Sequence, residues 1–181
     1  SEYLCKITEQ HLDTEQNRLA TEFMHTLSDF ERMGDHCVNL LEVAEYDMEQ
    51  KIDFSEPALL ELEHLNQVVF ETLKLTCEAY KGDTITECHK IAPLEQCVDD
   101  MVLVLRSKHI KRLQQGQCST QSGISFIELL TNLERISDHC DNVANHLYQR
   151  LSHGNLDSKM MDPSSVEFKA MLDYYTKKYI D

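Results

Sequence analysis

The residues best equipped for chemistry are carboxylates, and the chain sets them in a frame that it uses twice. Glu31, Arg32, Asp35, His36, Cys37 and Asn39 return as Glu134, Arg135, Asp138, His139, Cys140 and Asn142, every one at an offset of 103 residues. The packing positions drift between copies, Met33 giving way to Ile136 and Gly34 to Ser137. One structural unit therefore occurs twice, and its retained polar residues share a job. Glu31/Asp35 and Glu134/Asp138 are i,i+4 pairs, each on one helical face with Cβ atoms about 6 Å apart. Two like charges so placed cost a helix roughly 0.2–0.5 kcal/mol unless a cation answers them. Arg32 and Arg135 lie about 100° round the helix from their glutamates. A hard metal ion bridged by carboxylates is the other answer.

A third pair, Glu95/Asp99, has Asp100 beside it and falls on the preceding helix. Counted from the turn at residues 118–123, this pair and Glu134/Asp138 stand at comparable heights. Four carboxylates from two helices can thus converge on a metal, or on more than one. A single pair of this kind is ordinarily a solvated face, and the matched recurrence is what brings metal into consideration. His36 and His139, one position beyond their aspartates, project toward a neighbouring helix or solvent. Glu22/His25 and Glu61/His64 have the Glu-x-x-His spacing of ferritin-like di-metal oxidases. On antiparallel helices they would lie roughly 30 Å apart, which rules that reading out. There is no glycine-rich phosphate loop, nucleophile elbow or Ser/His/Asp set.

Long helices must carry these residues. Five glycines and three prolines in 181 residues favour helices over a turn-rich β fold. Residues 1–10 read as the end of a helix that began upstream, and the chain opens without an initiator Met, as a fragment would. Asp13 or Thr14 caps the next helix, which runs to about Lys51 and buries a stripe of Leu27, Phe30, Met33, Cys37, Leu40, Leu41 and Ala44. Ser55 caps a helix that Gly82 stops. Another runs from near Thr84 to before Gly116, with a kink expected at Pro93. After a loop at residues 118–123, a helix from about Ile124 to Ser152 carries the second copy and stops at His153-Gly154. Residues 155–163 are loop-like, and a final helix starts at Ser164 or Ser165.

A net charge of −15 argues against nucleic acid, whose phosphates need a basic face. Seven cysteines, an odd number with no CxxC, exclude a simple disulfide framework and a zinc knuckle and fit a reducing cytoplasm. Cys37, Cys77, Cys97 and Cys140 fall among apolar neighbours and are expected to be buried thiols. The longest unbroken aliphatic run is Met101–Leu105, far short of a membrane span.

The two ExxxDH segments resemble the PhoU family, and the likeness covers nearly the whole chain to about residue 153. The run Lys108-His109-Ile110-Lys111-Arg112-Leu113, then Gly116, Cys118-Ser119 and Ser122-Gly123-Ile124, is similar more narrowly to the PhoU-like cytoplasmic domain of bacterial sodium/phosphate cotransporters. The resemblance implies an all-α fold of two pseudo-repeated antiparallel three-helix bundles. It further implies carboxylate-bound iron, zinc, magnesium or a similar ion, and control of phosphate uptake rather than catalysis. Residues 1–54 would be the remainder of a first bundle truncated at its N-terminus, 55–154 the second bundle, and 155–181 a linker and C-terminal helix. Aligning Tyr3-Leu4 with His109-Ile110 leaves the partner of Asp99 before the chain starts. Glu31/Asp35 is then a half-site, whereas Glu134/Asp138 with Glu95/Asp99 is complete.

The sequence therefore reads as a regulatory domain on the cytoplasmic side of the membrane, joined upstream to the transmembrane part of a sodium-dependent phosphate transporter. Inorganic phosphate is a further expected ligand, and the C-terminal helix is expected to pack over the bundles or to pair two copies as a homodimer. A free-standing PhoU-type regulator is the alternative, and a carboxylate-bridged metalloenzyme is the reading from a different class.

Overall fold

The computed structural model describes Lys6, residues 12–152 and residues 161–180. Among the described residues the chain is all α, with five helices and no strand. These are α1 (Thr14–Gln50), α2 (Glu56–Gly82), α3 (Ile85–Gln114), α4 (Thr120–Leu151) and α5 (Val166–Tyr179). The expected helix over residues 1–10 (Lys6 apart), the stop at His153-Gly154 and the loop over 155–160 lie outside the described residues. No described helix is long and apolar enough to cross a membrane.

Local signals set most boundaries. Asp13 caps α1 in a full capping box with Gln16, each side chain accepting from the other's backbone N–H. α2 ends on Asp83 rather than Gly82, Asp83 taking the left-handed conformation (φ 52°) that short polar side chains tolerate. Pro93 is accommodated inside α3, which runs on without interruption. α4 begins several residues before the expected start because Ser119 caps it, its hydroxyl accepting from Ser122 N. Ser122 and Gly123 are therefore buried in a first helical turn and are not loop. Gly123 lets α3 and α4 approach closely there: a Cβ would stand 2.9 Å from Leu113 Cδ1 on α3, and that side chain would have to shift to admit it.

α4 is the central element, packing against α1, α2 and α3. Ile91, Leu94, Val98, Met101 and Leu105 of α3 repeat at three- and four-residue steps and bury one face. They meet Phe126, Leu130, Leu133, Ile136, Cys140, Val143 and Leu147 of α4, with Leu65, Val68 and Val69 of α2 closing the core. Each such side chain, fully buried, contributes about 1.5–3 kcal/mol. α5 lies against α3 and, more lightly, α2. Phe168 and Tyr175 are buried there, Lys178 pairs with Glu71 at 2.7 Å, and the Tyr179 hydroxyl also bonds Glu71. The C-terminal helix thus packs over the bundle, one of its two expected roles.

The α1–α4 contact departs from expectation. The face of α1 that turns inward carries Glu22, Thr26, Asp29, Met33, His36, Leu40, Val43 and Asp47, a largely polar seam. Of the expected apolar stripe, Met33 is buried and Phe30 and Leu40 are half-buried against the core, whereas Leu27, Cys37, Leu41 and Ala44 are exposed. Helical periodicity locates stripes but does not say which one meets a neighbour, and α4 offers polar groups that match the polar stripe.

That match makes the repeat visible as pseudo-symmetry. His36 Nδ1 lies 2.9 Å from Asn132 Oδ1, and His139 Nδ1 lies 2.9 Å from Asp29 Oδ1. Asn39 donates to Asn132 Oδ1 at 3.2 Å, and Asn142 donates to Asp29 Oδ1 at 3.3 Å. These contacts exchange under the 103-residue offset, and the two imidazoles stack at 5.7 Å where the copies cross. His146 Nε2 adds a further contact to Asp29 at 3.4 Å. Toward the two ends, Arg150 Nε bonds Glu22 at 2.9 Å and Ser125 Oγ donates to buried Asp47 at 2.5 Å. The shared histidines and asparagines therefore join the two copies.

Candidate metal centre

The carboxylates that converge lie between α3 and α4. Glu95, Asp99 and Asp138 each offer an oxygen, and these three oxygens lie within 4.8 Å of one another. All three side chains are half-buried. Helical geometry explains the meeting. Glu95 and Asp99 share one face of α3, one step round from core residues Leu94 and Val98, and Asp138 stands beside core residue Ser137 on α4. The cores of the two helices thus clamp the acidic flanks together.

The local electrostatics are those of an excess of negative charge that Arg135 answers only in part. Burial, and then Asp99, Asp141, Asp138 and Asp100, push the Glu95 carboxyl up to about 8. Asp99 is raised by burial first and then by Asp138, Glu134 and Asp100, with Arg135 opposing. Asp141 is raised to about 6, chiefly by burial, although Asn145 Nδ2 donates to it at 2.7 Å. Asp99 Oδ1 and Asp141 Oδ1 are buried with no hydrogen-bond partner. Buried acceptors ordinarily find a donor or an ion, so these oxygens fit a cation ligated entirely by carboxylate oxygen.

The expected quartet is rearranged. Glu134 is held by Arg106 Nη2 at 3.1 Å, an arginine that also donates to Thr131 Oγ1 at 3.2 Å, and it stands outside the trio. Asp141 takes its place beside the cluster. Its sequence signal was the register difference between copies: it aligns with Val38, and it lies three residues after Asp138 on the same face. Arg106 had no signal, since a contact across a hairpin has no local spacing. Asp138 is also touched by Arg135 at 3.1 Å, so that arginine reaches the aspartate of its own motif.

Glu31 and Asp35 are both exposed on α1, and among the described residues neither joins a group of three potential ligands. Glu61 bonds Arg112 and Lys108, and Glu22 bonds Arg150, so both are engaged in ion pairs. Of the cysteines expected to be buried, Cys97 and Cys140 are, Cys77 is half-buried and Cys37 is exposed on the uncovered face of α1.

Known proteins share this arrangement of helices. A structure of the phosphate transport system regulatory protein PhoU from Streptococcus pneumoniae superposes with a TM-score of 0.71, at 20% identity, over 88% of this chain and 72% of that one. At that identity the likeness establishes the fold. The phosphate-specific transport system accessory protein PhoU homolog 1 of Thermotoga maritima is 26% identical over 119 residues, 64% of this chain and 49% of the relative. A PhoU homolog of Streptococcus pneumoniae is 22% identical over 130 residues, 72% of this chain and 59% of the relative. The chain thus spans about half to three-fifths of the length of these relatives. Residues 62–147 match the PhoU domain family, a segment that contains the whole acidic cluster. The chain therefore shares the helical fold of the solved PhoU protein, and its residues 62–147 carry a match to the PhoU domain family.

Proposed function

We propose that this chain is a PhoU-type regulator of phosphate transport that holds a metal ion between α3 and α4 through Glu95, Asp99 and Asp138. It acts by binding a transport component at the cytoplasmic face of the membrane, not by catalysis. The observation that carries the reading is the convergence of three carboxylates, with orphaned oxygens on Asp99 and Asp141, inside the segment that matches the PhoU domain. An all-oxygen donor set favours iron or magnesium over zinc, which draws more readily on nitrogen and sulfur. The metal would neutralise the cluster and hold α3 and α4 in one register, fixing the docking face. Phosphate, an anion, would reach so acidic a place only as a ligand of the metal.

The relatives are named as accessory or regulatory proteins of phosphate-specific transport, and they favour a regulator that binds its transporter as a separate protein. A tail of a sodium/phosphate cotransporter is the second reading, supported by the run from Lys108 to Ile124, which here forms the end of α3 and the turn into α4. The metalloenzyme reading finds, among the described residues at the cluster, no nucleophile or proton carrier apart from the ligands themselves.

The test is phosphate uptake in a host whose own gene for this protein is deleted. Complementation by the native gene should restore control of uptake, and the paired Asp99→Asn, Asp138→Asn variant should not. Equal complementation by both would remove the metal from the account. No effect of either would remove phosphate transport from it.

A further inference from the structure

We propose that Cys118 is a modification site, a thiol activated by His109 that exchanges with low-molecular-weight disulfides. It rests on a chain of side chains at the α3–α4 turn that the acidic cluster does not use. Glu61 accepts from Arg112 Nη2 at 2.7 Å, and the same Nη2 stands 3.3 Å from His109 Nδ1. His109 Nε2 lies 3.9 Å from Cys118 Sγ. The imidazole is 1% exposed and lies flat on Phe126, ring centroids 4.3 Å apart and 10° from parallel.

The donor inventory fixes the tautomer. A guanidinium only donates, so His109 Nδ1 must accept, and the single proton of the neutral ring sits on Nε2, aimed at the sulfur. Burial, and then Arg112, lower the His109 pKa and keep the ring neutral. The sulfur is therefore the acceptor, and the buried N–H is placed to stabilise negative charge on it. Arg112, itself held by Glu61, orients the imidazole so that its N–H, and not a basic nitrogen, faces the sulfur.

Three buried thiols contrast with it, while Cys77 is half-buried as Cys118 is. Cys88, Cys97 and Cys140 are buried, and burial pushes their thiols up to about 11, 11 and 12. Cys118 is half-buried and stands immediately before the Ser119 cap of α4. Cys37 is exposed and serves as the comparison for exposure alone.

In the exchange, the Cys118 sulfur attacks one sulfur of the disulfide along the S–S axis. The thiol proton leaves to solvent, because His109 Nε2 already carries its own; a new S–S bond forms as the old one breaks, and the departing thiolate takes a proton from solvent. Cys118 is oxidised and the departing half is reduced.

The experiment incubates the full chain with glutathione disulfide and maps adducts over time by mass spectrometry, in buffer and in urea. Parallel samples carry Cys118→Ser, Cys37→Ser, His109→Leu or His109→Gln, with circular dichroism to check folding. In the folded protein Cys118 should react first, about tenfold faster than Cys37, as a hydrogen bond to a charged group predicts. His109→Leu should remove that advantage, His109→Gln, whose amide can still donate, should keep part of it, and urea should abolish it. Cys37 leading while Cys118 stays unmodified would overturn the proposal, as would an unchanged Cys118 rate in a folded His109→Leu variant. If His109→Leu fails to fold, a Cys118 rate no higher in buffer than in urea overturns it.

Discussion

Replacing Glu95 with glutamine should make the metal-free protein less sensitive to alkaline pH. The Glu95 carboxyl rises from its ordinary 4.5 to about 8 because it is half-buried beside Asp99, Asp141 and Asp138. A carboxyl whose folded pKa is raised favours the folded state most below the unfolded value, and that contribution is lost as pH climbs through the folded value. The window therefore runs from 4.5 to about 8. Integrated between about pH 5 and about pH 8, the shift costs the wild-type chain on the order of 3 kcal/mol. A glutamine at this position has no proton to lose and should escape that part of the decline. The assay is urea unfolding followed by circular dichroism, in chelator, at both pH values. Wild type and Glu95→Gln falling in parallel would refute the reasoning, because Glu95 would then titrate as an ordinary surface carboxylate. Added metal should reverse the sign in wild type alone, since the ion binds the deprotonated site.

Other consequences can be measured one by one. Gly123→Ala should destabilise the protein by about 1–3 kcal/mol in urea melts despite the better helix propensity of alanine, because its Cβ meets Leu113 Cδ1 at 2.9 Å. Asp29→Ala strips the seam of the acceptor shared by His139, His146 and Asn142, and should cost roughly 2–3 kcal/mol in the same assay. Arg106→Met releases Glu134 toward the trio, so calorimetric titration with magnesium or ferrous ion should show tighter binding than in wild type. Glu31→Gln with Asp35→Asn should leave that titration unchanged, because both residues are exposed and stand outside the trio.

Much of this was legible in the sequence because helices encode it locally. The caps at Asp13 and Ser165, the apolar steps of α3 and α4, and the i,i+4 carboxylates all lie within a turn or two of one another, whereas the Ser119 cap lay within the stretch read as loop. The meeting of Glu95 and Asp99 with Asp138 followed from counting out along the two arms of one hairpin. What escaped depends on contacts between distant residues. Arg106 reaches Glu134 across 28 positions, and Asp29 gathers His139 and Asn142 across 110 and 113. The offset of 103 showed that the histidines and asparagines were shared, but not that they bind one copy to the other. α1 misled most, because only Phe30, Met33 and Leu40 of its apolar stripe turn inward, the rest of the buried face being largely polar.

The most direct test of the central claim is elemental analysis of the untagged chain beside its Asp99→Asn, Asp138→Asn variant, both purified without chelator. Metal in stoichiometric amount in the parent and lost from a folded variant is the predicted result. Equal, near-zero metal in both would contradict it, and the acidic cluster would then be a strained feature of the α3–α4 packing with no ion to answer it.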